Sequence, residues 1–225
     1  MSDALVIFAK APVVGQVKTR LCPPLSPAEA AELACCFLFD TVARAVTLPG
    51  MRVYLAFTPP ESEHIFRALL PFPVEYVPQR GDSLGEREVN IFIDLLQHGA
   101  SRVVLMGSDI PTLPIAYVQE AFALLENTWC NAVFGPSNDG GYYLVGARAV
   151  HRALFENITW STSSVLTETL AQAHRHGFNI SLLPPWYDVD NEDDLHRLVA
   201  ELKKPNENNR SPRTREFLAR LNLLA

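Results

Sequence analysis

Short runs of consecutive apolar residues alternate along this chain with stretches in which apolar positions recur every three or four residues. Leu5-Val6-Ile7-Phe8 leaves no position to face water, the mark of a strand buried on both faces. Further strands are predicted over 52–57, 74–77, 102–106, 132–134, 142–145 and 180–183. Between them, helical periodicity predicts helices over 26–45, 61–70, 85–97, 115–125, 163–174 and 191–202. The first has a legible start: Ser26 as N-cap, Pro27 in the first helical position and Glu29 in the first turn. A polar linker over 203–212 and a last amphipathic helix over 213–223 complete the chain. Buried strands spaced by helices of about 10–15 residues predict an α/β fold with a mostly parallel sheet covered on both faces. In such sheets ligands bind beyond the carboxyl ends of the strands, so the loops after strands carry the candidate chemistry.

Composition narrows the function classes. The 225 residues, 48% apolar, predict one domain spanning 1–225 with a sizeable core. A net charge of −6 argues against coating nucleic acid or anionic membrane by bulk charge. The apolar run 4–9 stops at Lys10, short of the roughly 18–20 residues of a membrane span, and Met1-Ser2-Asp3 offers no basic segment before it. Cys22, Cys35, Cys36 and Cys130 show no C-x-x-C spacing and are expected to be inert thiols. A reducing cytoplasm is the expected compartment.

Four loops and one acidic run stand out. Lys10, Lys18 and Arg20 are three cations with no acid between Ala4 and Ala28; they suit phosphate oxygens, with Gly15 allowing close backbone approach, or form a solvated loop. In Gln79-Arg80-Gly81-Asp82-Ser83-Leu84-Gly85-Glu86-Arg87, Gln79, Gly85 and Arg87 could hold a base or phosphate, or the segment is a turn with Ser83 or Asp82 capping a helix. Asp109, just after a buried strand, is placed to bind a divalent cation or to cap a turn before Pro111. Asp139-Gly140-Gly141 combines a hydrogen-bonding acid with two glycines that admit a ligand ring, or is the turn of a β-hairpin. In the acidic run 188–194, Asp188 and Asp190 point the same way if extended and could join Asp109 around Mg²⁺ or Mn²⁺, while Asp193 and Asp194 favour a helix N-terminus. Ser161 or Thr162 is expected to cap the helix that follows.

Taken together, Phe8-Ala9-Lys10-Ala11-Pro12…Gly15…Val17-Lys18-Thr19-Arg20-Leu21, Leu84-Gly85-Glu86-Arg87, Gly107-Ser108-Asp109-Ile110-Pro111, Asp139-Gly140-Gly141-Tyr142-Tyr143 and Asp188-Val189-Asp190 resemble the bacterial DUF2064 family. Its members are GT-A-type glycosyltransferases, some assigned to arsenosugar biosynthesis, and the pattern is more distantly similar to 2-phospholactate guanylyltransferases. The resemblance covers almost the whole chain; Glu88-Val89-Asn90, Ile110 and Thr112 depart from the family's commoner residues. It implies a GT-A (nucleotide-diphospho-sugar transferase) fold: a three-layer α/β/α sandwich with a mixed sheet. It also implies that Lys18 and Arg20 meet a diphosphate, and that Asp109 with Asp190 and Asp188 binds the metal. Three functions are then open: metal-dependent sugar transfer from a nucleotide diphosphate sugar to a small acceptor, with Asp109 and Asp139 as catalytic groups; nucleotidyl transfer from an NTP with pyrophosphate release; or nucleotide binding without turnover.

Overall fold

Each predicted strand and helix has its counterpart in the computed structural model, which describes residues 2–204 and 211–224. The strands are β1 (Ser2–Lys10), β2 (Met51–Thr58), β3 (Glu75–Pro78), β4 (Ala100–Gly107), β5 (Ala132–Pro136), β6 (Tyr142–Ala147) and β7 (Ile180–Leu182). The helices are α1 (Pro27–Ala45), α2 (Glu63–Leu69), α3 (Leu84–Gln97), α4 (Ile115–Leu124), α5 (Val165–Arg175), α6 (Glu192–Leu202) and α7 (Pro212–Arg220). Short 3-10 turns at Thr19–Leu21, Pro60–Ser62 and Arg152–Phe155 have no counterpart in the sequence reading. Residues 205–210 of the expected polar linker lie outside the described residues. Among the described residues no helix is long and apolar enough to cross a membrane.

The strands form one sheet in the order β3-β2-β1-β4-β6-β5-β7. Four neighbouring pairs are parallel, while β6 runs antiparallel to both β4 and β5. The reversal is local in origin: only residues 137–141 join β5 to β6, too few for the crossover that a parallel pair requires. Alternate residues of β1 pack on opposite faces of the sheet. Leu5, Ile7 and Ala9 of β1 pack with Val42 of α1 and Phe66 of α2, and Ala4 and Val6 with Val89 and Phe92 of α3. A third apolar cluster joins Leu33 and Phe37 of α1 to Val189, Leu198 of α6 and Phe217 of α7. The chain proceeds from β1 outward to β2 and β3, then returns to lay β4 on the other side of β1. That reversal leaves a crevice at the carboxyl ends of β1 and β4.

Two buried acids couple these layers. Asp40 of α1 accepts hydrogen bonds from the backbone N–H groups of Arg213 at 3.1 Å and Thr214 at 2.8 Å, so it caps α7 from 173 and 174 residues away in sequence. Arg213 also lies over the Phe39 ring, 3.6 Å from its centroid. Glu88 of α3 faces the sheet beside Val89 and Phe92, and the Tyr142 hydroxyl donates to it at 2.6 Å. Burial pushes the Glu88 carboxyl up to about 8, and the hydrogen bond from Tyr142 only partly opposes this.

Asp40→Ala removes the acceptor for two N–H groups at a buried helix start, so it is expected to cost about 1–3 kcal/mol. Urea denaturation should show a lower midpoint for this variant, and an unchanged midpoint would mean that α7 docks by its apolar face alone. For Glu88 the folded chain holds a proton that the unfolded chain releases above its ordinary carboxylate range. Stability therefore falls as pH rises from about 4.5 towards about 8 and levels off beyond. Glu88→Gln removes this loss. Denaturation at pH 5, 7 and 9 should show the wild type weakening relative to the variant by a few kcal/mol in order of magnitude; parallel stabilities at all three pH values would refute it.

Candidate active site

The crevice widens into a cleft of about 910 Å³, within the size range of small-molecule and cofactor sites. Segments distant in the chain meet at its base. The Lys18 ammonium lies 2.6 Å from Asp109 Oδ2 and 2.6 Å from Asp190 Oδ1. Asp188 completes the group, and one carboxylate oxygen from each of Asp109, Asp188 and Asp190 lies within 4.8 Å of the others.

Local structure explains each placement. Asp109 follows β4 directly, and its carbonyl accepts the Val189 N–H at 3.0 Å, which ties the two acidic segments together. Val189 is fully buried against the α1–α6–α7 cluster, so in an extended strand-like run Asp188 and Asp190 turn to the opposite side, towards the cleft. Ser137 fixes Asp188 by donating its hydroxyl to Oδ1 at 2.6 Å. Asn191 and Asp194 form a reciprocal capping box at the start of α6, which holds the end of the acidic run. From the other side α1 pins the loop after β4: Thr41 donates to the Ser108 carbonyl at 3.3 Å and Arg44 to the carbonyls of Pro111 and Leu113. Lys18 has a left-handed backbone (φ 50°), and its carbonyl accepts from the buried Leu21 N–H at 2.9 Å.

The charges at the base are strongly coupled. Burial alone would drive a proton off Lys18, but Asp109 and Asp190 outweigh it and raise the ammonium's pKa above its ordinary range. Burial likewise opposes ionisation of Asp190, yet Lys18 holds that carboxyl below its usual range, with help from a hydrogen bond with Asp188 and the charge of Arg20. Asp188 moves the other way: burial and then the charge of Asp109 push it up, against the Ser137 hydrogen bond. One ammonium therefore pairs with two of the three acids, and Asp188 is held by Ser137 instead. The donor set is all carboxylate oxygen, the chemistry that suits a hard divalent cation, and the resident ammonium marks the spot as one that attracts positive charge.

The remaining sequence candidates divide. Lys10, Arg20, Asp139 and Gly141 line the cleft, Lys10 donating to the Gln16 carbonyl at 2.8 Å. Asp139 sits in the β5–β6 hairpin turn and accepts from the Gly141 N–H at 2.9 Å. Gly15 lies in the exposed turn of that first loop, and the cleft lining does not include it. Gln79 is buried and donates its amide to the carbonyls of Ala56 at 2.7 Å and Ala9 at 3.4 Å, which joins β2 to β1 rather than facing the cleft. Arg87 donates to the Gly81 carbonyl at 2.9 Å, within the turn before α3, and Ser83 caps that helix by accepting from the Glu86 N–H at 3.2 Å.

Gly85 and Gly140 serve the cleft indirectly. A Cβ at Gly85 would come within 2.4 Å of the Trp160 ring, and one at Gly140 (φ +92°) within 2.1 Å of the Ser163 carbonyl oxygen. Both glycines thus seat the segment Trp160–Ser163, which forms one wall of the cleft. The expectation that Ser161 or Thr162 caps a helix is corrected here. α5 begins only at Val165, with Ser164 before it; Ser161 has a left-handed backbone (φ 65°), and the Thr162 hydroxyl donates to the Thr159 carbonyl at 2.7 Å. The sequence signal that marks this wall is the Trp-Ser-Thr-Ser-Ser run itself, which reads equally well as a cap. Phe8 and Leu84 also line the cleft; both stand in the motifs shared with the family, but as apolar residues at a strand end and a helix start they carry no chemistry that marks them as site residues.

Comparison with known proteins places this geometry. No curated protein matches the chain. A protein of Desulfovibrio desulfuricans G20, provisionally assigned as a nucleotide-diphospho-sugar transferase, is similar with 32% identity and a TM-score of 0.91, over 100% of this chain and 97% of that one. A CMP:2-keto-3-deoxy-manno-octonic acid synthetase complexed with CTP shares the fold with a TM-score of 0.56 at 15% identity, over 88% and 97% of the two chains. Rv0371c of Mycobacterium tuberculosis H37Rv, in complex with manganese, gives a TM-score of 0.50 at 17% identity, over 88% and 97%. The sequence profile of a family described as "Uncharacterized protein conserved in bacteria (DUF2064)" matches residues 41–162, more than half the chain. With that match and a full-length relative on the same three-layer mixed-sheet fold, the chain belongs to the DUF2064 family.

Proposed function

We propose that this protein is a divalent-cation-dependent transferase that moves a sugar from a nucleotide diphosphate sugar to a small acceptor. One observation carries the reading: Asp109, Asp188 and Asp190 converge with Lys18 at the base of a cleft, at the point where strand order reverses. The likeness to the Desulfovibrio desulfuricans protein supports the donor class, and the manganese complex of a fold relative supports a metal at the carboxylates. Asp109, Asp188 and Asp190 would hold Mg²⁺ or Mn²⁺. Bound there, the ion supplies Lewis-acid neutralisation of charge on the departing diphosphate.

The chain's own groups do the rest. Arg20, exposed at the cleft mouth, and Lys10 offer charge-assisted hydrogen bonds to phosphate oxygens. Asp139 lies on the hairpin turn, where its carboxylate can orient an acceptor hydroxyl and take its proton as the glycosidic bond transfers. The wall at Trp160 supplies an aromatic surface against which a sugar or small acceptor can stack. Nucleotidyl transfer is the second reading, favoured by the fold shared with a synthetase that binds CTP. The same cations would then face a departing pyrophosphate.

Incubation with nucleotide sugars and with nucleoside triphosphates, in Mg²⁺ or Mn²⁺ and with a panel of small acceptors, separates the two. Release of nucleoside diphosphate is expected for sugar transfer, and pyrophosphate would identify nucleotidyl transfer. Asp109→Ala should lower turnover by roughly 10²-fold or more, since it removes both a metal ligand and the partner of Lys18. Turnover near the wild-type rate in that variant, with saturating donor, would remove the carboxylate cluster from the mechanism.

A further inference from the structure

The position of Lys18 has a consequence for how such a site fills. Its ammonium bridges two of the three acids, 2.6 Å from one oxygen of Asp109 and 2.6 Å from one of Asp190, and its side chain is only 9% exposed. Oxygens that grip Mg²⁺ or Mn²⁺ do so at about 2.0–2.2 Å. The same two carboxylates cannot hold an ammonium and a divalent ion together without setting like charges side by side at the partly exposed base of the cleft. Lys18 would therefore have to leave before the ion enters.

Its way out is built into the loop. The Lys18 backbone is anchored, because its carbonyl accepts from Leu21, which is fully buried. The four-carbon stem can reorient about that anchor once its ion pairs are released, and the cleft it would enter is already lined by Arg20 and Lys10. An ammonium moved there joins two other cations, and three clustered cations call for a multiply charged anion. A polyphosphate provides that anion.

We infer that Lys18 is a built-in counter-cation of the acidic cluster, displaced by the divalent ion and handed over to the phosphate groups of the substrate, so that metal and polyphosphate bind cooperatively. This rests on the reading of Asp109, Asp188 and Asp190 as a cation site. It explains how one short loop can both offset the charge of Asp109 and Asp190 before the ion binds and present a cation to the polyphosphate afterwards. By linkage, whatever the metal gains from a polyphosphate that accepts Lys18, the polyphosphate gains from the metal.

The experiment titrates Mn²⁺ alone into full-length wild type, Lys18→Met and Asp109→Ala, following free Mn²⁺ by electron paramagnetic resonance. Lys18→Met keeps the stem and removes the competing charge, so it should bind Mn²⁺ about tenfold or more tighter than wild type, while Asp109→Ala binds weakly. A second measurement needs no variant. Acetylation of the wild-type lysines, read by mass spectrometry, should modify Lys18 slowly without metal and several-fold faster with Mn²⁺, with Lys10, Lys203 and Lys204 as internal references. Equal Mn²⁺ affinity in wild type and Lys18→Met, or, should that variant not fold, Lys18 labelling indifferent to bound Mn²⁺, would overturn the displacement and leave the metal site standing. Absence of Mn²⁺ binding in the folded wild type and in Lys18→Met would overturn the metal site and the displacement with it.

Discussion

An ammonium from the first loop, wedged between carboxylates from the middle and the last fifth of the chain, is the interaction on which the site depends. Lys18 spans 91 residues to Asp109 and 172 residues to Asp190, so its two ion pairs bring together the first loop, the loop after the central strand and the C-terminal acidic run. Removing the positive charge would leave Asp109 and Asp190 without their counter-ion and beside Asp188, all within 4.8 Å at the partly exposed base of the cleft, an arrangement that repulsion opposes. The cleft thus has a strong demand for a cation, and the chain meets it with a residue whose side chain is long and flexible.

Such a cluster holds its shape because the surrounding backbone is tied down independently of it. α1 supplies Thr41 and Arg44 to the carbonyls after β4, and Ser211, at the start of α7, donates to the Pro111 carbonyl at 2.6 Å. Asp40 in turn caps α7, so the C-terminal helix and the loop that bears Asp109 share a single support. On the far side the Trp186 N–H donates to the Pro136 carbonyl at 3.0 Å, and the Tyr143 hydroxyl to that of Pro184 at 2.9 Å. These contacts join the acidic run to the β5–β6 hairpin. Carboxylates that repel one another need this kind of scaffold, since their own interactions would drive them apart.

Much of the architecture was readable because it rests on local physics. Leu5-Val6-Ile7-Phe8 admits no exposed face, and Ser26-Pro27…Glu29 forms the capping box expected of a helix start. The cap of α5 differs from the expected one for an equally local reason: Ser161, Thr162 and Ser164 are all good caps, and only the path of the backbone chooses among them. Gln79 and Arg87 show a different difficulty. Their side chains suit a ligand or a backbone carbonyl equally, and the neighbouring strand end and turn claimed them.

By itself the sequence determined the alternation of buried strands and amphipathic helices, the placement of charged loops after strands, and the pairing of Asp188 with Asp190 on one side of an extended run. Those features follow from periodicity, and periodicity is a property of neighbours in the chain. Only the tertiary structure decided that β6 lies between β4 and β5, that Glu88 is buried against Tyr142, and that Lys18 turns to the acids rather than to an open phosphate site. These outcomes depend on which groups come within a few ångströms after folding. Coulombic attraction and desolvation act on that distance, not on separation along the sequence.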